Sequence, residues 1–473
     1  MRASQKDTAS PRGLTGLMAA VVLGAIMMQL DATMTNIAYN TLLGEFHTSL
    51  LTLQWIGTGY LLSMTVVMAL SGWALDRYGG RVMWTFCIAV FLAGSVLCGI
   101  AWSAESLIVF RVIQGLGAGM VLPLGMALLA TAAGPDRLGR AMGVMGVPAA
   151  LGPVLGPVAG GFLVSNLDWR WIFFINVPIC VAAIVVAWRV VPTDRSAHPA
   201  PLDVLGLLLL SPACAVLVYG LTEAGRYGGF TNPRAALPLA AGVVLLGGFV
   251  AHALRLRGEP ILDLRLLRIR SFLSSSLVLF LGGVALFGAS ALLPLYFQQA
   301  RGYDAMGAGL LLIPQGVGMG LSLFLSGRLS ERFSPRVLVL VGLTLTIAGS
   351  FILTQLDPHT GEFVIGAALL FSGGGIGAVM APAMTAALRD IEGVDISRAS
   401  AANRILMQLG ASFGSAVLLI ALQDNLNQLA GAANPDPAGA YAHAFWWILA
   451  FAAAAMPFAF AMPGRTRDRQ LLR

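Results

Sequence analysis

Long uninterrupted apolar runs alternate along this chain with short polar segments. The runs fall at 14–37, 53–75, 82–102, 106–132, 141–165, 171–190, 203–222, 235–254, 272–297, 306–327, 337–356, 362–388, 400–423 and 441–463. Each is near or above the roughly 20 residues that a helix needs to cross a bilayer, so the pattern predicts fourteen membrane-spanning helices. The runs are continuous rather than alternating, which argues against a β-barrel, and each helix satisfies its own backbone polar groups in lipid. The polar segments between runs reach only about 17 residues and carry no periodic pattern, so no soluble domain is expected.

Composition points the same way, because 57% hydrophobic and 11% charged residues cannot be arranged as an ordinary soluble domain. A net charge of +7 could suggest a nucleic-acid partner. The placement of the basic residues instead reads as an orientation signal. With the N-terminus inside, only Arg170, Arg226, Arg234 and Arg301 fall on the outer side, and only Arg111 and Arg404 lie within spans. Adding or dropping one helix would put the downstream basic loops on the wrong side, so both termini are expected in the cytoplasm. Lys6 and Arg12 before the first run resemble a secretory signal, but the run is long and has no convincing small-residue cleavage site, so it reads as a retained span. Cys87, Cys98, Cys180 and Cys214 all sit inside apolar segments and read as small core residues.

An internal repeat divides the chain. Gly72-Trp-Ala-Leu-Asp76-Arg77-Tyr-Gly-Gly-Arg81 and Gly327-Arg-Leu-Ser-Glu331-Arg332-Phe-Ser-Pro-Arg336 keep glycine, acid, arginine, aromatic and arginine in register, each after an apolar run. An even number of spans separates them, as expected for two halves related by an axis along the membrane normal. The expected architecture is an all-α membrane protein: a six-helix bundle in 1–190, a second in 272–473, and a linker, 191–271, holding a surplus pair of helices. The linker's end, 255–271, with Arg255, Arg257, Arg265, Arg268 and Arg270 among leucines, reads as an amphipathic strip on the inner surface or as a plain topology anchor.

Asp31 is the acid set deepest in an apolar run, where a lasting negative charge is expensive. Arg111, in the fourth run, cannot shed its charge and needs a partner or water. Counted at about 1.5 Å per residue, both lie roughly 10 Å from the outer ends of their spans, so they can meet at one depth. A fixed pair of this kind rarely offsets its own desolvation, which favours a site that loads and releases a proton as its surroundings change. In the repeated turn, Gly72, Asp76, Arg77, Arg81, Glu331 and Arg332 can form charge-assisted pairs that hold an inner gate in one state and part in the other. In the fifth run, Gly143, Gly152, Gly156, Pro157, Gly160 and Gly161 make a small-residue face for close helix approach, bent by prolines. Arg404, followed by Gln408, is either a cavity charge or a residue snorkelling to the membrane edge. Met27, Met34, Tyr60, Gln114, Phe287 and Tyr296 are candidates to line an apolar and aromatic cavity. None of the five histidines lies deep in a run, and no metal site or cofactor is expected.

These motifs together resemble the major facilitator superfamily, and within it the fourteen-helix drug:proton antiporters of the EmrB/QacA type. The resemblance rests on the Gly72 turn, on the glycine and proline pattern from Gly143 to Gly161, and on Leu30-Asp31-Ala-Thr-Met-Thr-Asn36. It rests also on Gln54-Trp55, Trp169-Arg170-Trp171-Ile-Phe173-Phe-Ile-Asn176-Val-Pro178, Tyr296-Phe297-Gln298 and Gly302-Tyr303. Gly80 stands where the family usually has a basic residue, and Ser334 replaces a glycine in the second copy. The resemblance implies a major facilitator fold, proton coupling at Asp31 with Arg111 as its modulator, and export rather than uptake. Its implied partners are protons, a lipophilic or cationic small molecule and the bilayer of the cell membrane, with a periplasmic adaptor protein in a Gram-negative host.

The only lysine is Lys6, preceded by Gln5, so the chain has no Walker A loop and its energy source must be an ion gradient. Uptake of a nutrient and export of a native lipid or metabolite remain open in the same fold. A membrane-embedded transferase would need clustered acids or histidines at a membrane edge, and none is found. With one deep carboxylate, neutral or singly charged compounds are expected to be handled better than dications.

Overall fold

The computed structural model describes residues 11–48, 50–191, 201–256, 260–303, 305–330, 332–356, 360–391, 395–429 and 437–464. Every regular element among them is helical. The first six are α1 (Pro11–Ile37), α2 (Tyr39–Phe46), α3 (Leu50–Met68), α4 (Ser71–Tyr78), α5 (Gly80–Gly99) and α6 (Ala104–Asn166). Next come α7 (Trp171–Phe174), α8 (Asn176–Val190), α9 (Val204–Arg226), α10 (Pro233–Arg255), α11 (Arg270–Leu295) and α12 (Ala305–Leu311). The chain closes with α13 (Ile313–Leu329), α14 (Pro335–Leu353), α15 (Glu362–Arg389), α16 (Ile396–Leu429) and α17 (Pro437–Ala461). Among the described residues, 12 helices are long and apolar enough to cross a membrane, or 13 if α3 and α4, bent by 55° at their junction, form one span. This is a multi-pass, all-helical membrane protein.

α6 carries helical hydrogen bonding through 63 residues, yet it cannot be straight. Arg111 touches Asp31 of α1, and a Cβ on Gly156 would meet Thr33 of the same helix. A straight helix would hold Arg111 and Gly156 roughly 68 Å apart at about 1.5 Å per residue. Contacts along the first leg run from Asp31 at Arg111 back to Val21 at Gly125, antiparallel to α1. Along the second leg, Gln29, Thr33 and Met34 meet Gly152, Gly156 and Gly160, parallel to α1. The chain therefore turns back between the legs, and both lie against α1.

The repeated turn shows its symmetry in two contacts. Arg81 Nε donates to the carbonyl of Val191 at the end of α8 (2.9 Å), and Arg336 Nε and Nη2 donate to Met462 just past α17 (2.8 and 2.7 Å). Each arginine thus caps a helix C-terminus, where the exposed carbonyls carry partial negative charge. Gly16 of α1 lies against Val190, Arg389 Nη1 donates to the Gly464 carbonyl, and Ser397, just beyond Arg389, donates to Asp76, so both described termini lie at the end of the bundle that holds the Gly72 turn.

The pair α9 and α10 packs together and joins the rest through α9. Tyr219 stacks on Trp55 of α3 at 5.9 Å, the Ser211 hydroxyl donates to Val66 (2.6 Å), and Gly225 lies against Ala416 of α16. α10, by contrast, is largely exposed, as expected for a helix whose outer face is lipid. In the linker's final stretch, a short turn, Leu264–Arg268, starts from Asp263, whose carboxylate accepts from the Arg265 amide. Leu266 is buried while Arg265 and Arg268 are exposed, so the segment is two-sided as its sequence suggests.

Candidate functional site

The centre of the first half is a closed polar network in an apolar surround. Asp31 on α1 and Gln114 on the first leg of α6 are fully buried, and Arg111, one turn before Gln114, is 1% exposed. Arg111 Nη1 donates to Asp31 Oδ2 at 2.6 Å and to Gln114 Oε1 at 2.7 Å. Asp31 Oδ1 accepts from Gln114 Nε2 and from Asn176 Nδ2, each at 2.9 Å. The two amides also donate to the Ser95 hydroxyl on α5 (3.2 and 3.0 Å), which donates onward to the Phe173 carbonyl (2.9 Å). All three side chains at the carboxylate donate to it, the arrangement of an ionised acid.

Arg111 is held on further sides. Its Nε reaches the Ile56 carbonyl at 3.5 Å, and its guanidinium carbon lies 4.2 Å from the Tyr60 ring centroid and 5.7 Å from that of Phe173. A guanidinium over a desolvated aromatic face gains about 2 kcal/mol. Glycine allows these approaches: a Cβ on Gly94 would meet the Gln114 backbone at 2.6 Å, and one on Gly115 would strike Ser63. α5 and the first leg of α6 can then approach closely enough to bring Ser95 and Gln114 together.

The second leg of α6 supports α1 from another side. Thr33 donates to the Gly152 carbonyl at 3.2 Å, and a Cβ on Gly160 would lie 3.1 Å from the Met34 Cα. Gly152, Gly156 and Gly160 thus form the face that carries α1 beside Asp31. Gly143 instead faces α13, where a Cβ would meet the Leu323 carbonyl at 3.0 Å and the Gly327 Cα at 3.2 Å. Gly161 faces open space, and the Pro157 side chain lies outside the described residues.

At the end holding the termini, a Cβ on Gly72 would meet the Arg398 backbone at 3.3 Å, so α4 and α16 touch there. The Ser397 hydroxyl donates to Asp76 Oδ1 at 3.4 Å, placing this acid by the first turn of α16, where a helix favours negative charge. Arg77 and Arg332 are exposed, Arg81 is spent on Val191, and Glu331 lies outside the described residues. The two repeat glycines therefore do equivalent work: Gly72 meets α16 of the second half, and Gly327 meets the second leg of α6.

Of the cavity candidates, Tyr60 and Gln114 join the Asp31 site. Met27 packs into the first half beside Cys180, Met34 into a separate cluster with Leu42 and Trp169, and Tyr296 into the second half between Phe297 and Tyr441. Phe287 is partly buried on α11, its carbonyl accepting from Ser415. Arg404, on α16, is partly buried. Sequence reasoning left out Ser95 and the chemistry of Asn176. The available signal was a lone amide, Asn176, inside the apolar run 171–190.

The Major Facilitator Superfamily sequence model matches residues 21–415. The chain is 35% identical over 417 residues to a "Multidrug resistance protein B homolog" of Mycobacterium tuberculosis, covering 88% of this chain and 77% of that one. It is 31% identical over 401 residues to the "Tetracenomycin C resistance and export protein" of Streptomyces glaucescens, covering 84% and 74%. Among solved structures, it resembles a proton:xylose symporter with a TM-score of 0.65 at 16% identity, over 95% of this chain and 97% of that one. It also resembles the human organic anion transporter MFSD10 with a TM-score of 0.63 at 17% identity, over 94% and 100%.

Proposed function

Because the chain belongs to the major facilitator superfamily, we propose that it is a proton-coupled antiporter exporting lipophilic small molecules, in the manner of multidrug efflux, by alternating access. The observation that carries this reading is Asp31, an acid with no exposure, held by Arg111, Gln114 and Asn176 inside a membrane bundle. A proton arriving there turns an acceptor into a donor and cancels the charge that holds Arg111. Arg111 stays charged and must find another partner. Loading and unloading Asp31 thus alters how α1 is fastened to α6, which links protonation to helix arrangement.

Export rather than uptake is favoured by the glycine face from Gly152 to Gly160 against α1 and by the resistance and export names of the relatives. Counting the bent α3–α4 pair and the returning leg of α6 as one span each brings the proposed number to fourteen, in two six-helix halves with α9 and α10 between them. The end with the Gly72 turn and both termini is then cytoplasmic, its contacts between α4 and α16 and between α6 and α13 forming an inner gate.

The test is efflux of a lipophilic dye from proteoliposomes under an imposed pH gradient, with wild type beside Asp31→Asn. Wild-type efflux should follow the gradient and stop with a protonophore, and Asp31→Asn should lose that response. Equal gradient-driven efflux by both proteins would sink the role of Asp31.

A further inference from the structure

The second half holds a charge that the proton site does not absorb. Arg404, in the third turn of α16, forms no salt bridge among the described residues and has a buried, unpartnered Nε. Its Nη1 meets just the Met407 sulfur at 3.9 Å. The Tyr60 hydroxyl is likewise buried and unpartnered. Tyr60 is on α3 and Arg404 on α16, and these helices touch, so two unsatisfied groups from different parts of the chain lie on helices that share one seam.

Charge balance decides what fits there. The negative charge of Asp31 is taken up by Arg111 at 2.6 Å with both carboxylate oxygens occupied, which leaves nothing to attract a cation. Glu223, the other deep acid, pairs with Arg226 on α9. The seam therefore carries one net positive charge, supplied by Arg404. A guanidinium offers a planar fork that matches a carboxylate or sulfonate. Gln408, four residues on and on the same helical face, adds a polar neighbour.

Resting on the transport reading above, we propose that Arg404 and Tyr60 bind the polar head of the substrate, and that the substrate is an amphiphile with a single anionic head rather than a lipophilic cation. The Arg404 fork takes the head group and the Tyr60 hydroxyl donates to it. Because Tyr60 also stacks beneath Arg111, one side chain adjoins both the proton site and the anion site. Proton and anion do not compete for one carboxylate, so their exchange must run through the opening and closing of the seam.

The test uses three fluorescent probes with one apolar body: pyrenebutyrate, pyrenebutyramide and pyrenebutyltrimethylammonium. Equilibrium binding to the purified full-length protein is followed by energy transfer from tryptophan. Wild type should bind the butyrate roughly tenfold more tightly than the ammonium compound, as one charge-assisted pair predicts. Arg404→Gln should abolish that preference, Arg404→Lys should keep most of it, and amide binding should stay unchanged in both, which also reports an intact fold. Equal or tighter binding of the ammonium compound, a butyrate preference that survives Arg404→Gln, or no saturable butyrate binding overturns the proposal. The transport reading fails separately, if a pH gradient drives none of the three probes across proteoliposomes while the binding preference persists.

Discussion

Arg111 and Arg404 are both arginines inside membrane-spanning helices, one in each half, and they are treated in opposite ways. Arg111 has an acid, an amide, a backbone carbonyl and two aromatic faces around it. Arg404 has a thioether and an orphaned Nε. A permanent charge in a membrane interior is tolerated when the fold compensates it, so the compensated arginine belongs to internal machinery. The uncompensated one is left to pair with a ligand. The two copies of the repeated turn make equivalent contacts, yet the two arginines within the spans differ.

The sharpest way to break this contrast is at the paired arginine. Arg111→Met leaves the Asp31 carboxylate buried without its cation, and unfolding in detergent should show a loss of about 3–5 kcal/mol. A melting temperature equal to wild type would mean that the pair contributes nothing. Asn176→Ala removes one donor to the carboxylate and should cost about 1.5–3 kcal/mol. It should also weaken the response of efflux to a pH gradient, and a stability change without a coupling change would make Asn176 a packing residue only.

Arg404→Met is expected to act in the other direction, raising stability by roughly 1 kcal/mol, because it removes an unsatisfied buried donor rather than a paired one. Destabilisation there would reveal a compensating partner and erase the difference between the two arginines. The smallest effect is expected at the symmetric caps. Arg81→Gln and Arg336→Gln should each cost about 0.3–1 kcal/mol and by similar amounts, since each removes a cation from one helix C-terminus. Unequal losses would show that the two copies of the repeated turn have diverged as well.

Much of the Asp31 network is legible in the order of residues. An acid and an arginine stand out in apolar runs, and a constant rise per residue puts them at one depth. Ser95 and Asn176 are not legible as members, because hydroxyls and amides are common in membrane helices and only the meeting of α1, α5, α6 and α8 selects these two. The repeated turn shows a similar division. The repeat announces two equivalent turns, and Gly72 and Gly327 do meet equivalent helices. Arg81, one of the charges of the repeated turn, reaches the carbonyl of Val191, just past α8. That choice depends on where a distant helix ends, which no local pattern encodes.

The amino-acid sequence alone determined that the chain is a bundle of membrane helices with a repeated turn, and with an acid and an arginine placed to meet. Hydrophobic length and the cost of bare backbone in lipid leave no other solution for such runs. Tertiary structure alone decided which charges are compensated. Whether an arginine in a span finds an acid depends on packing between helices distant in the chain, and at Arg404 that packing supplied a thioether and left Nε without a partner.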